Sequence, residues 1–278
     1  MSGPVGYGTR VERPGWAPAG IDLERPSAAR VYDFYLGGFH NFAPDREMGR
    51  RAVELWPELP EIMQANRAFL RRAVRFLTAA GIRQFLDLGS GIPTVGNVHE
   101  VAQQAAPDAR VVYVDNDPVA VEHSRAILTG NPHTAVVEAD LRDPDSVLGD
   151  PALAKVLDPS QPVAVLMVAV LHFVPEEADP AGLVARFRDA IVPGSFLTLS
   201  HASTDGQPER TAEHRGLYQR TATPMTMRTR TEIAALFDGF EWVEPGLVYL
   251  PLWRPDPGAP VEERPERFTG FAGVGRKP

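Results

Sequence analysis

Two different rhythms of apolar residues divide the chain near residue 80. Before that point apolar positions recur at helical spacing, which predicts helices over residues 27–36, 44–55 and 61–80. Beyond it, short apolar runs alternate with helical stretches, a pattern typical of βαβ units around a parallel sheet. The predicted strands are Gln84–Leu88, Arg110–Asp115, Ala135–Glu138, Val163–Val170 and Ser195–Ser200.

This alternation predicts a doubly wound α/β domain over residues 81–278, preceded by a helical addition over 21–80 and a flexible arm over 1–20. Ser27 is the expected N-cap of the first helix. The helices predicted between the strands are Val95–Ala105, Pro118–Leu128, Asp143–Leu148 and Pro180–Ile191. After Ser200 the pattern predicts, in order, a helix over 229–237, strands around 240–243 and 247–252, and an exposed Pro-rich segment over 254–267.

Composition narrows the class of protein. The 278 residues carry a formal net charge of -8, which argues against nucleic acid as the main partner because phosphate binding needs concentrated positive charge. The chain has no cysteine, which excludes a thiolate nucleophile and Cys-ligated metals, and we predict no metal site. No apolar run reaches the length of about 18 residues that a membrane span requires, and no signal peptide is recognisable. We therefore expect a cytoplasmic protein that has no membrane partner. The sequence leaves the oligomeric state open, and a homodimer is one of the alternatives.

A glycine turn follows the first predicted strand. The segment Phe85-Leu86-Asp87-Leu88-Gly89-Ser90-Gly91 leads an apolar strand into Gly-x-Gly, and a helix follows. Glycines are needed in such a turn because a bound cofactor approaches the backbone more closely than a Cβ would allow. Several nucleotide-binding families share this feature, and a tight turn without a ligand is the alternative interpretation.

Two acidic strand ends support a nucleoside site. Asp115, followed by Asn116, ends the second predicted strand, where a carboxylate can accept hydrogen bonds from ribose hydroxyls. Asp140, followed by Leu141, ends the third, where it can accept a bond from an exocyclic amine such as that of adenine. Helix capping is the alternative for both carboxylates. It is the weaker one for Asp115, because Asp117 already supplies a cap.

The residues around the turn favour S-adenosylmethionine over a dinucleotide. The dinucleotide fingerprint G-x-G-x-x-G/A has a third small residue, glycine or alanine, at its last position. In this chain that position is Thr94, which does not match. Asp87 would repel a pyrophosphate, whereas it can help to hold a cation. S-adenosylmethionine carries both an ammonium and a sulfonium group. The sequence therefore predicts a nucleoside cofactor site and favours S-adenosylmethionine as the cofactor.

Longer motifs carry a family resemblance over nearly the whole chain beyond residue 20. They include Tyr32-Asp33-Phe34-Tyr35-Leu36-Gly37-Gly38-Phe39-His40-Asn41-Phe42-Ala43-Pro44-Asp45-Arg46, Asn66-Arg67-Ala68-Phe69-Leu70-Arg71-Arg72, Gly96-Asn97-Val98-His99-Glu100-Val101-Ala102-Gln103 and Gly273-Val274-Gly275-Arg276-Lys277-Pro278. In these motifs the chain resembles an actinobacterial family of S-adenosyl methyltransferases, long known as a domain of unknown function.

The resemblance implies a fold, a cofactor and site residues. The implied fold is that of class I methyltransferases, a Rossmann-like sheet of seven strands with the last one antiparallel, here with an N-terminal helical addition. S-adenosylmethionine is the implied cofactor, with Gly89 and Gly91 facing it. Asp115 would bind its ribose and Asp140 its adenine. Arg67 matches a family position that we assign to the methionine carboxylate.

Candidate catalytic and lid residues lie outside the glycine turn. His172 follows the apolar run Val163–Val170, at the end of a predicted central strand where ligands bind in such sheets, and it is a candidate general base. Simple packing beside the cofactor is equally compatible with its position. Tyr32, Tyr35, His40 and Asn41 belong to the N-terminal element, which we expect to fold over the cofactor as a lid, with packing at the domain edge as the alternative.

The sequence does not identify the methyl acceptor. A small molecule is the leading hypothesis, because the segment Val168-Ala169-Val170-Leu171-His172 differs from the Asn/Asp-Pro-Pro-aromatic run used to methylate bases. Two rival interpretations stay open at this point. One is a non-catalytic protein that binds S-adenosylmethionine or a nucleoside, and the other is an NAD(P)-dependent oxidoreductase.

Overall fold

The structure is a computed structural model of the 278-residue chain. It describes residues 14–15, 17–18, 21–93, 96–206, 212–213, 216–219, 224–260 and 262–278. The predicted flexible arm over 1–20 lies mostly outside the described residues, as do Thr94 and the first residue of the helix predicted from Val95.

Three helices precede the sheet, as predicted. They are α1 (Ala28–Tyr35), α2 (Ala43–Leu55) and α3 (Leu59–Ala79). Ser27 occupies the N-cap position of α1, as predicted, but its side chain makes no capping hydrogen bond. Its hydroxyl contacts Asp117 instead, ninety residues further along the chain.

Five parallel strands form most of the sheet. They are β1 (Gln84–Leu88), β2 (Arg110–Asp115), β3 (Thr134–Glu138), β4 (Ala164–Val168) and β5 (Phe196–Ala202). They lie in the order β3-β2-β1-β4-β5, so the direction of winding reverses between β1 and β4. All five run the same way, and their carboxyl ends meet at one edge. In a doubly wound sheet this edge is where ligands bind.

Helices connect the parallel strands. They are α4 (Val98–Ala105), α5 (Pro118–Ile127), α6 (Pro144–Leu148), α7 (Pro151–Val156) and α8 (Pro180–Ala190). The short helix α7 was not predicted. Its Asp150 N-cap and Pro151 in the first turn are a recognisable start signal, but six residues are too few to show a helical period.

The sheet has eight strands rather than the seven that the resemblance implies. After α9 (Arg230–Ala235) come β6 (Glu241–Trp242), β7 (Val248–Tyr249) and β8 (Gly270–Arg276). The last strand, β8, is antiparallel to β5, as expected, and both β6 and β7 pair with its outer edge. The additional strand therefore results from two short strands sharing one edge position.

The apolar pattern did not predict β8, because glycine is depleted in strands. The structure gives the reason for two of its glycines. A Cβ on Gly273 would lie 2.9 Å from Trp242, and one on Gly275 would lie 2.8 Å from Phe240. Aromatic side chains pack so closely on this strand that only glycine fits.

Two apolar layers cover the sheet. One includes α3 and α4, and Trp253 packs edge-on against Phe69 and Phe76 there. The other includes α8 and α9. The segment beyond Trp253 is mostly exposed as far as residue 267, as predicted. Among the described residues no helix is long and apolar enough to span a membrane.

Candidate functional site

A cavity of about 430 Å³ opens at the carboxyl ends of β1, β2 and β3. Its size falls within the range of about 300–1,000 Å³ that is common for ligand sites. Every cofactor residue proposed from the sequence lines it: Arg67, Asp87, Gly89, Ser90, Gly91, Asp115, Asn116, Asp140 and Leu141. The parallel strands bring these separate segments together because their carboxyl ends share one edge.

The glycine turn lies directly against the neighbouring strand end. Gly89 and Gly91 have φ angles of 69° and 67°, which L side chains rarely adopt. A Cβ on Gly89 would lie 2.2 Å from Val170, whereas a Cβ on Gly91 would meet no protein atom within 4 Å. Gly91 forms part of the cavity wall, and the space beside it is open to a ligand.

Asp115 fastens this turn to β2. Its carboxylate accepts hydrogen bonds from the backbone N–H of Gly91 at 2.7 Å and of Asp117 at 2.8 Å. The N-cap of α5 is Asp117, which accepts from the backbone of Val119, so Asp115 is not the helix cap. Burial raises the pKa of Asp115 to about 6, although these backbone hydrogen bonds oppose the shift.

A second carboxylate, Asp87, faces the same cavity. Burial raises its pKa to about 7, since the Arg67 guanidinium lowers the pKa only in part and the Asp115 charge raises it further. Two carboxylates at the wall of one cavity favour a cationic ligand. A positive charge near them offsets the free-energy cost of burying two negative charges and reduces the repulsion between them.

Arg67 contributes hydrogen-bond donors to the lining of the same cavity. Its Nη2 lies 3.5 Å from the Gly96 carbonyl and 3.4 Å from Asn97 Oδ1, both long contacts. Its Nε is buried and makes no hydrogen bond with any residue that the structure describes. A buried donor of this kind is costly unless a ligand satisfies it. The site therefore offers a cation position near Asp87 and an anion position at Arg67, which fits an amino-acid moiety.

Asp140 is engaged by its own neighbours. Arg142 binds both of its carboxylate oxygens, and Asn116 lies 3.4 Å away. Burial raises the pKa of Asp140, but the Arg142 hydrogen bonds and charge outweigh it and leave the pKa below its ordinary value. Asp140 is not the cap of the following helix, because Asp143 is the N-cap of α6. A bound amine would have to compete with Arg142 for Asp140.

The first turn of α1 forms another wall of the cavity, and a buried ion-pair network holds it there. Arg30 lies 3.0 Å from Asp45 and 3.4 Å from Asp117, and all three side chains are buried. Asp45 also accepts hydrogen bonds from the backbone of Ser27 and Phe42. Sequence reasoning missed Arg30 and Asp117 as contacts of the site. Asp45 lies within the quoted family motif, but its partners are set by packing.

A second, smaller cavity of about 70 Å³ adjoins the first. The two share wall residues Ala28, Tyr32, Asn66, Ala169 and Phe173. The smaller cavity also contains His172 and Tyr35, so three of the predicted catalytic and lid residues lie around it.

The two histidines of this cavity differ. His172 Nδ1 accepts a long hydrogen bond, 3.4 Å, from the Ala202 backbone, which places the proton of the neutral ring on Nε2. His201 has both ring nitrogens engaged, by the Ala202 carbonyl at 2.7 Å and by Arg228 at 2.8 Å. Burial, with the Arg228 charge, lowers the pKa of His201 to about 3. His201 is thus a neutral structural residue, and His172 is the catalytic candidate.

His40 and Asn41 line neither cavity. The His40 ring lies 3.6 Å from that of His123 on α5, and Asn41 donates to Asp33 and to the Gly38 carbonyl. Both therefore fix the loop between α1 and α2, and a direct ligand contact for them stays a prediction. Within the described part of the chain, no group of three His, Asp or Glu side chains is arranged to hold a metal ion.

The fold and this edge of the sheet define the class of protein. A parallel sheet in the order 3-2-1-4-5, an antiparallel strand beside β5, and a glycine turn with acidic strand ends are the features of a class I methyltransferase. A sequence model described as S-adenosyl methyltransferase matches residues 14–278, and the chain belongs to that family. It is thus an S-adenosylmethionine-dependent methyltransferase, which sets aside the oxidoreductase interpretation.

Two solved structures are similar over almost their whole length. A proposed methyltransferase from Thermobifida fusca YX is 44% identical over 95% of this chain and 99% of its own, with a TM-score of 0.89. A DUF574 family protein from Streptomyces avermitilis MA-4680 is 42% identical over 92% of this chain and 99% of its own, with a TM-score of 0.89. No curated protein matches the chain.

Proposed function

We propose that the larger cavity binds S-adenosylmethionine and that the methyl group passes to a small molecule held in the smaller cavity, where the two cavities adjoin. The observation that carries this proposal is the arrangement of two adjoining cavities. The larger has the residues for a nucleoside and an amino-acid moiety. The smaller has no charged side chain among the described residues that line it.

Each cofactor residue has a proposed role. Gly89, Ser90 and Gly91 let the ligand lie against the turn, and Asp115 accepts from the ribose. Asn116, Asp140 and Leu141 form the adenine end of the cavity. Asp87 attracts the ammonium group, and Arg67 binds the methionine carboxylate through the donors that its protein contacts leave available.

Bound in this way, the cofactor would supply an electrophilic methyl group. The protein holds the acceptor in line with that group. Holding the acceptor in line at the right distance can account for about 7–11 kcal/mol of the barrier. His172 lines the smaller cavity. It can take up a proton only at Nδ1, by giving up its 3.4 Å bond from Ala202.

The N-terminal element takes part in the site. We infer that residues 27–46 close one side of the larger cavity, because the buried pairs of Arg30 with Asp45 and Asp117 tie α1 to the start of α5. The division into a helical addition over 21–80 and a methyltransferase domain over 81–278 stays a prediction, as do a homodimer and a cytoplasmic location.

Calorimetry with a matched pair of glycine variants tests the proposal. The protein should bind S-adenosylhomocysteine and show no measurable binding of NAD or NADP. Gly91→Val should abolish this binding, because the side chain would enter the cavity at a φ of 67°. Gly258→Val is the control, since Gly258 has a φ of 78° and equally open surroundings but lies in an exposed segment. Equal binding by both variants would contradict the proposal.

A further inference from the structure

The smaller cavity lies where α1, α3 and Trp56, the residue that follows α2, face the carboxyl ends of β4 and β5. Its walls are mainly aromatic and thioether side chains, including Trp56, Phe173 and Tyr218. Half of the six methionines of the chain line it: Met63, Met225 and Met227. Methionine is flexible and polarisable, so such walls adapt to the shape of an apolar ligand.

The cavity carries no formal charge among the residues described. None of its lining residues there is Lys, Arg, Asp or Glu. The Tyr35 and Tyr218 hydroxyls lie 3.4 Å apart, and burial raises the pKa of Tyr218 to about 12 and that of Tyr35 well above its ordinary value. Both hydroxyls are therefore protonated at neutral pH, and His201 is neutral as described above. An ionised ligand would find no counter-charge in these walls, and burying one would be costly.

Asn66, which lines both cavities, has its amide held by two hydrogen bonds. Asn66 Oδ1 accepts from Ser200 at 2.5 Å, and Asn66 Nδ2 donates to the Tyr32 hydroxyl at 2.9 Å. These bonds fix the orientation of the amide. They leave one amide hydrogen and one oxygen lone pair for a ligand, because an amide has two donors and two acceptor sites.

The backbone beside Asn66 is held in an unusual conformation. Ala169, directly after β4, has a φ of 57°, which is uncommon for a non-glycine residue. Its N–H donates to the Ser200 carbonyl at 3.1 Å and to the Ser200 hydroxyl at 3.0 Å. Such strain persists where the surroundings over-determine it, and it is concentrated at ligand sites. Ala169 and Asn66 both line the two cavities and lie where these adjoin.

We propose that the smaller cavity is the acceptor site and that it takes an uncharged, mainly apolar molecule, with its hydroxyl or amino group at Asn66. This inference rests on the proposed function. In the reaction the acceptor oxygen or nitrogen forms a bond to the methyl carbon as the carbon–sulfur bond breaks, and the electron pair of that bond stays on sulfur. The acceptor proton passes to water.

Binding measurements on the protein saturated with S-adenosylhomocysteine test the inference. The probes are p-cresol, which is neutral, and benzoate, an anion of similar size. We expect p-cresol to bind and benzoate to bind at least about tenfold more weakly, because the carboxylate would be buried without a partner. Equal or tighter benzoate binding, or no p-cresol binding, would overturn the inference.

A pair of tryptophan variants locates the probe. Met227 lines only the smaller cavity, so Met227→Trp should fill it and weaken p-cresol binding at least about tenfold, with S-adenosylhomocysteine affinity within about twofold. Ile127→Trp is the control, because Ile127 is half exposed and lines neither cavity. An unchanged affinity of Met227→Trp for p-cresol would place the probe elsewhere and refute the inference.

A third variant decides the matter if Met227→Trp does not fold. Met225→Ala enlarges the same cavity and should bind 2-naphthol more tightly than the unaltered protein does. No gain for 2-naphthol would count against the acceptor site. Failure of the unaltered protein to bind S-adenosylhomocysteine would refute the proposed function itself, whereas loss of p-cresol binding alone refutes only the acceptor site.

Discussion

The pKa of Asp87 makes cofactor binding depend on pH in a defined window. Burial raises this pKa to about 7, and a protonated carboxyl cannot attract an ammonium group. The ionised fraction is then about one-eleventh at pH 6 and about ten-elevenths at pH 8, so the affinity for S-adenosylhomocysteine should fall about tenfold, or about 1.4 kcal/mol, between pH 8 and pH 6. Asp115, with its pKa of about 6, should add a smaller loss of the same sign.

The variant Asp87→Asn isolates this effect. It should bind more weakly than the unaltered protein at pH 8 and lose most of the pH dependence, as measured by calorimetry at both pH values. Asp150→Asn is the matched control, since Asp150 caps α7 and lines neither cavity. An affinity that is equal at pH 6 and pH 8, or a pH dependence that is undiminished in Asp87→Asn, would refute the reasoning.

The carboxyl groups of Asp87 and Asp115 should also make the stability of the ligand-free protein depend on pH. This dependence has the opposite sign to that of cofactor binding, which strengthens as the pH rises. Their folded-state pKa values exceed the ordinary value of 3.8, so between about pH 4 and pH 7 the folded state binds more protons than the unfolded state. Stability should therefore fall as the pH rises through this window. Accordingly, Asp87→Asn should raise the melting temperature of the ligand-free protein at pH 8 while it weakens binding.

Three further predictions concern single contacts. Asp115→Ala should weaken S-adenosylhomocysteine binding by about 1.5–3 kcal/mol, the usual range for a hydrogen bond to a charged group, and Asp150→Ala should not; equal effects would make Asp115 a structural residue. Arg67→Gln should weaken S-adenosylhomocysteine by a similar amount but leave adenosine, which has no carboxylate, unaffected; a loss of both would contradict its assigned role. S-adenosylhomocysteine should slow hydrogen exchange over residues 27–46 but not in α8 (Pro180–Ala190), and unchanged exchange over 27–46 would exclude closure by that segment.

The sequence by itself determined the parallel part of the sheet and the cofactor edge. Five apolar runs matched β1 to β5 to within two residues at either end, because strands buried on both faces must be apolar. Parallel strands all end at one edge, so finding Gly91, Asp115 and Asp140 at strand ends was enough to place them together. The family motifs added Arg67, which no periodic pattern would have selected.

Only the tertiary structure decided the remaining contacts of the site. Ser200 and Asn66 are 134 residues apart, and Arg30 and Asp117 are 87 apart. Such pairs leave no periodic trace in a sequence, since packing of whole elements determines which side chains meet. The walls of the smaller cavity likewise come from α1 and α3, from residues at the carboxyl ends of β4 and β5, and from Met225 and Met227. Its apolar residues look like ordinary core in the sequence, and only their arrangement around an empty space makes them a candidate acceptor site.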